Sequence, residues 1–253
     1  MAVAVLAGCR DNTVGIAFRP APGDRYAYRI EVHATTVARL GAEPPRRSVA
    51  DTVFEARHAV IDAGPSGTTA EVHLRERGGR ALTFSVRLDR AAQLTEVQRI
   101  EGLPAEALGD LGLSEIFPAA VTGPPERRLA PGERWSIDEP VRVDAAGPTR
   151  LVGSGRLVEL GLDDRRRVAK VEQDYRFPVR RRTEEGSTRL HLEGWQATRA
   201  SGTYAVDDGA VVSGQARTRG TYRLTVLPPD GSPGEPVTGT LMVEVRSTTR
   251  RVE

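Results

Sequence analysis

Alternating apolar and polar residues recur through most of this chain of 253 residues. A repeat of two residues is typical of a β-strand that buries one face and exposes the other to water. The first such segment follows Arg25 and has one apolar face: Tyr26, Tyr28, Ile30, Val32 and Ala34. The second segment has a face formed by Phe54, Ala56, His58 and Val60. The pattern therefore predicts a mostly β chain with a minor helical part.

Clusters of glycine, proline and aspartate separate these segments, as at Gly64-Pro65-Ser66-Gly67 and Asp207-Asp208-Gly209. Such clusters mark turns between strands. A calcium loop needs more oxygen ligands than the two aspartates supply, so we interpret the second cluster as a plain turn. In the second half of the chain, the pattern predicts strands near residues 150–160, 166–178, 187–198, 201–206, 210–218, 220–227 and 237–247.

Two short sequence patterns, which we call echoes, occur in both halves of the chain. Pro22-Gly23-Asp24-Arg25-Tyr26 resembles Pro131-Gly132-Glu133-Arg134-Trp135, and each has a turn, an acid, an arginine and an aromatic residue that opens a strand. The segment 88–95 resembles 206–213 in the same order along the chain. We therefore favour duplication of a β-meander within one domain, 21–253, with halves at about 21–117 and 130–253. Coincidence is the alternative, since both kinds of turn are common in β proteins.

The hydrophobic period changes in only one stretch, residues 103–117. Its apolar side chains are spaced as on one helix face, and Pro104 suits a first helical turn. Gly109 and Gly112 each weaken a helix by about 1 kcal/mol relative to alanine. The sequence thus predicts one short or broken helix that covers a curved antiparallel sheet or half-barrel.

Motifs for the common enzymatic reactions are missing from the sequence: there is no G-x-S-x-G, no Walker A loop and no G-x-G-x-x-G. The four histidines are dispersed, and a lone cysteine makes neither an internal disulfide nor a multi-cysteine zinc site. The net charge of +2 and the interleaved acids disfavour nucleic-acid binding. We expect a non-enzymatic protein without a cofactor, metal or nucleic-acid partner.

The only cysteine lies in Leu6-Ala7-Gly8-Cys9, a motif that resembles the lipobox of bacterial lipoproteins. The resemblance implies a shortened signal sequence at 1–9, acylation of Cys9 and a polar tether at 10–20. Acyl chains on this cysteine would anchor the protein at the extracytoplasmic face of the membrane. Elsewhere, the sequence lacks a run of eighteen apolar residues, the length that a membrane-spanning helix requires. A buried or free cysteine is the alternative interpretation of Cys9.

With this motif, the Pro-Gly turns and the β pattern together, the chain from Ala21 onward resembles a family of actinobacterial cell-envelope lipoproteins. It is more distantly similar to half-barrel lipid-handling lipoproteins, in which a curved sheet wraps an apolar helix. That resemblance implies that an apolar or lipid ligand contacts the helix and the inner face of the sheet. The ligand-binding residues that the resemblance implies are Leu108, Leu111, Ile116 and Phe117. Trp135 and His58 are further candidates because of their residue type and position. The alternative is a structural or protein-interaction module of the envelope, in which the same side chains fill the core.

The aromatic and histidine candidates have ordinary structural interpretations as well. Trp135 and Trp195 are more typical of core anchors than of ligand contacts in a chain with 5% aromatic residues. His58 shares a face with apolar residues, so a core or rim position is expected, with ligand contact as the alternative. The ligand, any protein partner and the oligomeric state are left open.

Overall fold

The computed structural model describes residues 12–79, 81–88, 94–101, 124–142, 148–185, 188–228 and 234–252. Within these ranges the chain forms eleven β-strands. They are β1 (Arg25–Leu40), β2 (Arg46–Gly64), β3 (Gly67–Glu76), β4 (Ala81–Leu88), β5 (Leu94–Glu101), β6 (Arg134–Arg142), β7 (Pro148–Asp163), β8 (Arg166–Glu185), β9 (Thr188–Ala205), β10 (Val211–Leu227) and β11 (Val237–Val252). The described ranges contain no helix long and apolar enough to cross a lipid bilayer.

All the strands belong to one antiparallel sheet with the order β5-β4-β3-β2-β1-β11-β10-β9-β8-β7-β6. Strands that are neighbours in sequence pair with each other, except β5 and β6. The first and last strands, β1 and β11, pair and so join the two halves, with Ile30 opposite Thr249. The edge strands β5 and β6 are not paired with each other, so the sheet does not close into a complete barrel. The predicted fold class, a mostly β chain with an unclosed antiparallel sheet, is confirmed.

The curvature of the sheet follows from its core. Val72 on β3 and Val171 on β8 belong to the same buried apolar cluster, although six strand spacings separate them in the sheet order. In a flat sheet, six spacings of about 4.8 Å would hold these side chains about 29 Å apart. The sheet therefore curls so that its two wings face each other, and the predicted half-barrel is confirmed.

The alternation of the sequence decides which side chains lie inside this curve. Tyr26, Tyr28 and Ile30 are buried on the inner face of β1, as the sequence pattern predicted. Phe54, Ala56 and Val60 are buried on the inner face of β2. The intervening charged residues lie on the outer face, because successive side chains of a strand point to opposite sides of the sheet.

A segment before β1 packs into this core. Val14 and Leu129 form an isolated antiparallel bridge, with N–O distances of 2.9 and 2.8 Å. Ile16 is 1% exposed, and Arg19 donates its backbone N–H to the carbonyl of Asp208 at 2.7 Å. Residues 14–18, which we predicted as part of a tether, thus belong to the folded body, because their alternating apolar side chains fill one end of the half-barrel.

The two Pro-Gly turns have the same backbone geometry. Gly23 and Gly132 have φ angles of 92° and 86°, which an L-residue rarely adopts. The Asp24 carboxylate accepts the backbone N–H of Ala21 at 2.7 Å. In the second turn, the Glu133 carboxylate accepts the N–H of Ala130 at 2.9 Å. That hydrogen bond, together with the Arg127 guanidinium, lowers the pKa of Glu133.

Each turn precedes one strand and also donates a backbone hydrogen bond to the next strand along the chain. Gly23 donates to the carbonyl of Val60 at 2.9 Å, and Gly132 donates to the carbonyl of Leu157 at 2.6 Å. A β-bulge follows directly in both strands, after Val60 in β2 and after Leu157 in β7. The second sequence echo, 88–95 and 206–213, likewise falls at equivalent connections, β4 to β5 and β9 to β10. The two halves therefore share local geometry at equivalent positions.

Two of the predicted strand breaks are wrong. We predicted separate strands at 201–206 and 220–227, but β9 and β10 run continuously through Gly202 and Gly220. A β-carbon added to Gly202 would lie 2.9 Å from the Tyr204 ring, so an aromatic side chain already fills that space. Tyr222 covers Gly220 in the same way. Glycine does not break these strands because a tyrosine two residues later replaces the missing side-chain packing.

The predicted helix at 103–117 lies outside the described residues. So do Cys9 and the segments proposed as the signal sequence and the first part of the tether.

Replacement of Gly132 by alanine tests the structural role of the turns. Added β-carbons at Gly23, Gly132 and Gly64 would meet no atom within 4 Å, but only the first two glycines have a positive φ. We expect Gly23→Ala and Gly132→Ala each to lower the free energy of unfolding by about 1 kcal/mol through backbone strain alone. Gly64→Ala, the matched control, should change it by less than about 0.5 kcal/mol. Urea unfolding measures all three, and equal stability of Gly132→Ala and Gly64→Ala would contradict this role.

Candidate functional site

The inner face of the half-barrel has a packed part and an open part. Near the Pro-Gly turns it is filled by buried side chains, among them Phe84, Leu129 and Leu157. Toward the other end of the strands, the inner-face side chains are apolar but only half-buried. We call this second region the concave wall, and it consists of Leu190, Leu192, Leu224, Val226, Leu241, Val243 and Val245.

Strand register assembles the concave wall from three neighbouring strands. Leu192 lies opposite Leu224 in the pairing of β9 with β10, and Tyr222 lies opposite Leu241 in the pairing of β10 with β11. Cross-strand neighbours on one face are close enough for their side chains to touch. The wall rests on a second buried cluster that includes Tyr175, Phe177, Val179 and Tyr222. The result is a continuous apolar surface on the inside of the curve.

Small and hydroxyl-bearing side chains separate the concave wall from the packed core. Thr198 and Thr218 are buried, and their hydroxyl oxygens lie 2.9 Å apart in a hydrogen bond. Ser247 and Thr249 continue this band on β11 with 8% and 2% exposure. The inner face is therefore apolar at both ends of the strands, with a band of small polar side chains between them.

Trp135 packs in the half-barrel as a core anchor. Its indole lies against Gly155 of the neighbouring strand, where an added β-carbon would be 2.1 Å from the ring. The side chain is half-buried and contacts both apolar clusters. Its indole N–H is buried without a hydrogen-bond partner among the described residues. Packing rather than hydrogen bonding therefore holds this ring, in line with the core role expected from the sequence.

His58 lies on the inner face of β2 and is 9% exposed, as its apolar neighbours in the sequence suggested. Its ring centroid is 5.1 Å from that of Tyr28. Burial lowers the pKa of His58 to about 4, so the imidazole is neutral at pH 7. Because it carries no charge there, His58 contributes packing and a polar ring atom rather than a cationic contact.

His58 lines a cavity of about 790 Å³ near the Pro-Gly turns. The other lining side chains are mostly charged and of both signs, and they include Arg25, Arg57, Arg166, Arg251, Glu71, Asp163 and Asp164. The Arg251 guanidinium stacks 4.8 Å from the centre of the Tyr26 ring, and it lies 3.9 Å from the Asp208 carboxylate. The Tyr26 hydroxyl lies 3.3 Å from a carboxylate oxygen of Asp24 and 3.4 Å from one of Asp208, so it can donate a hydrogen bond to either. This mixed-charge lining suits water and ions rather than an apolar molecule.

The residues that we suggested as ligand contacts do not form one described site. Trp135 is not among the described residues that line the cavity beside His58. Leu108, Leu111, Ile116 and Phe117 lie outside the described ranges. The apolar surface consists instead of the concave wall, of which the sequence pattern identified Leu241, Val243 and Val245 only as one face of a strand.

Trp195 is the clear error among the predicted core residues. It lies on the outer face of β9 with 57% of its surface exposed. Alternation gave the signal that locates it, because Leu190 and Leu192 occupy the inner face two residues apart and Trp195 is out of phase with them. We gave the hydrophobicity of the tryptophan more weight than its position in the strand.

Metal-binding clusters are absent from the part of the chain that the structure describes: no group of three or more histidine, cysteine, aspartate or glutamate side chains is placed to hold an ion. The exposed histidines instead form local pairs. His33 lies 2.6 Å from Asp51, and His73 lies 2.8 Å from Glu71. These pairs fit a solvated outer face.

Comparison with known protein families finds no family model that matches this chain. Comparison with curated proteins finds no significant match. The geometry of the inner and outer faces therefore carries the functional argument.

His58 gives the protein a testable pH dependence. Its pKa of about 4 in the folded state lies below the ordinary value of 6.5, so the unfolded chain binds this proton more tightly. Stability should therefore fall by about 3 kcal/mol as the pH drops from about 6.5 to about 4, and level off below that for this group. Urea unfolding from pH 7 to pH 4 should show this loss in the wild type and in the surface control His33→Gln. The slope should be much smaller in His58→Gln, and an unchanged slope in that variant would contradict the assignment.

Proposed function

We propose that this chain is a lipid-anchored bacterial envelope protein without enzymatic activity that binds or carries an apolar or lipid ligand on its concave wall. The observation that carries the proposal is the half-buried apolar surface on the inner face of the sheet. The residues that form it belong to β9, β10 and β11, next to the packed core. A concave apolar surface with a few nearby polar groups is typical of ligand-binding sites.

The dimensions of the wall favour an extended ligand. From Leu190 to Thr198 the inner face of β9 spans eight residues, or about 27 Å at about 3.4 Å per residue. Each methylene group removed from water contributes about 0.8 kcal/mol, so contact along most of an acyl chain is favourable. Thr198 and Thr218, buried and hydrogen-bonded to each other, mark the polar end of this surface. An acyl chain therefore fits better than a compact apolar molecule.

The anchoring part of the proposal rests on the lipobox-like sequence that ends at Cys9. In the described part of the chain, backbone pairing with the half-barrel starts at Val14, which pairs with Leu129. Five residues of fully extended chain span at most about 18 Å. Acyl chains on Cys9 would consequently keep the half-barrel close to the membrane surface.

A structural or protein-interaction module is the second candidate. The packing of Ile16, Phe84 and Leu129, each 2% exposed or less, favours it, because much of the inner face is already filled by the protein itself. A ligand bound to the concave wall distinguishes the two functions.

Substitution of Cys9 tests the anchor. The protein expressed in an acylating bacterial host should partition into the detergent phase, whereas Cys9→Ala should remain in the aqueous phase. The physical reason is that the acyl chains supply the membrane affinity through their buried methylene groups. Phase separation followed by mass spectrometry of the N-terminal peptide measures both partition and modification. Equal partition of the two proteins, with no acyl group on Cys9, would remove the lipoprotein assignment.

Neighbouring residues of β11 provide a matched test of ligand binding. Leu241 lies on the concave wall, and Met242 lies on the opposite face with 49% exposure. We expect Leu241→Gln to weaken binding of a fluorescent fatty acid about tenfold, through loss of apolar contact, and Met242→Gln to leave it unchanged.

Two measurements decide this prediction. Organic extraction of the purified wild type, followed by mass spectrometry, should recover an acyl-chain lipid at a near-stoichiometric amount. Titration with the fluorescent probe should saturate in the wild type. Failure of both, in a folded protein, would favour the module with a filled core.

A further inference from the structure

The outer face of the sheet has a row of apolar side chains that are in contact with water. In the register of the sheet, Pro178 lies opposite Trp195, Trp195 opposite Thr221, Thr221 opposite Met242, and Met242 opposite Val37. Val49 lies diagonally next to Val37, because Val37 pairs with Arg47. We call this set the outer apolar row, and its members are Pro178, Trp195, Met242, Val37 and Val49.

Every member of the row is at least partly exposed. Trp195, Met242 and Val49 are 57%, 49% and 51% exposed, and the other two members are half-buried. It crosses six strands from β8 to β2, which is about 24 Å at about 4.8 Å per strand. Isolated exposed apolar side chains are normal, but an aligned set across a sheet is typical of an interaction surface.

Arginine side chains surround this row. The six that flank it on neighbouring positions of the outer face are Arg39, Arg47, Arg176, Arg180, Arg219 and Arg223. The acids at such positions are three, Glu193, Glu244 and Asp51, of which Glu193 pairs with Arg180 at 3.3 Å. Six cations against three anions leave an excess of three positive charges around the row.

Most of these arginines lack an acidic partner in the part of the chain that the structure describes. Arg39, Arg47, Arg176 and Arg223 make no ion pair with any described residue. The Arg176 guanidinium lies 5.7 Å from the centre of the Trp195 ring. Glu244 accepts hydrogen bonds from Arg217, Arg219 and Arg246, so one carboxylate balances only part of the charge of three guanidinium groups. The rim is therefore open to an external anion.

We propose that the outer apolar row docks on the anionic surface of a phospholipid bilayer. Tryptophan prefers the interface between the hydrocarbon and the headgroups, and arginine buries its methylene stem while its guanidinium stays among the phosphates. A guanidinium also matches phosphate oxygens with two parallel hydrogen bonds. The charge excess selects an anionic rather than a neutral surface.

This docking differs from the proposed lipid anchor and from ligand binding. It uses the opposite face of the strands from the concave wall, and it requires no acyl group on Cys9. When the outer apolar row lies on the bilayer, the concave wall faces away from the membrane. The full chain with Cys9→Ala therefore isolates the docking surface from the anchor.

Vesicle flotation with the full-length Cys9→Ala protein tests the proposal. The protein should float with vesicles that contain about one-third phosphatidylglycerol, and remain unbound with vesicles of phosphatidylcholine alone. High salt should release it, because exposed charges are screened.

The two tryptophans of the chain permit a direct readout of contact. Trp135→Phe in the Cys9→Ala protein leaves Trp195 as the only tryptophan. Its emission should shift to shorter wavelength on binding to anionic vesicles, and lipids brominated on the acyl chain should quench it. The unmodified tryptophan pair, measured in parallel, covers the case in which Trp135→Phe does not fold.

Paired surface variants separate specific docking from general adhesion. Trp195→Ser with Met242→Ser, and separately Arg219→Gln with Arg223→Gln, should each lower the vesicle partition coefficient by about tenfold or more. The matched controls elsewhere are Ile61→Ser, at a residue that is 57% exposed, and Arg57→Gln with Arg75→Gln. Both controls should change the partition coefficient by less than about twofold.

Three outcomes would overturn the proposal. They are equal binding to neutral and anionic vesicles, binding that the row variants and their controls affect alike, and no change in Trp195 emission on flotation. A blue shift of Trp195 that depends on protein concentration without vesicles, and that Met242→Ser abolishes, would assign the row to a second copy of the chain instead.

Discussion

A single sheet with one apolar face must hide that face from water, and the rest of this structure depends on that requirement. Eleven antiparallel strands present their apolar side chains on the same side, and the edge strands β5 and β6 are not paired with each other. The sheet therefore curls until its two wings, with Val72 on one and Val171 on the other, share a buried cluster. Burial of this face supplies the main driving force for the fold.

The curvature of the sheet comes from local structural features that occur in both halves. The turns at Gly23 and Gly132 direct one strand against the next, and a β-bulge follows each contact, after Val60 and after Leu157. Bulges increase the twist of a sheet. On the inner face, some glycines leave room for an aromatic ring that would collide with a larger side chain, as Gly155 does for Trp135. The shared geometry of the turns agrees with duplication of a β-meander.

The period-two pattern predicted the strands and their inner faces because alternation is a local property that burial imposes directly. The same pattern cannot predict that β1 pairs with β11, because that choice depends on residues more than 200 positions apart, such as Ile30 and Thr249. Composition misled us at Gly202 and at Trp195, where neighbouring rings or strand phase decided the outcome. The concave wall was visible in the sequence only as apolar alternation, since its partial exposure depends on curvature. The burial of His58 was predictable from its apolar neighbours on the strand, but the charged cavity beside it was not, because that cavity depends on residues from distant strands.

The two faces of the same strands serve different proposed contacts: the concave wall an acyl chain, and the outer apolar row a membrane surface. The central claim is that the inner face binds the ligand, and methyl NMR of the full chain tests it most directly. On titration with a single-chain lipid below its micelle concentration, the methyl signals of Leu192, Leu241 and Val243 should shift and saturate together, while those of Met242 and Val49 stay in place. Shifts confined to the outer residues, or none at all, would contradict the account.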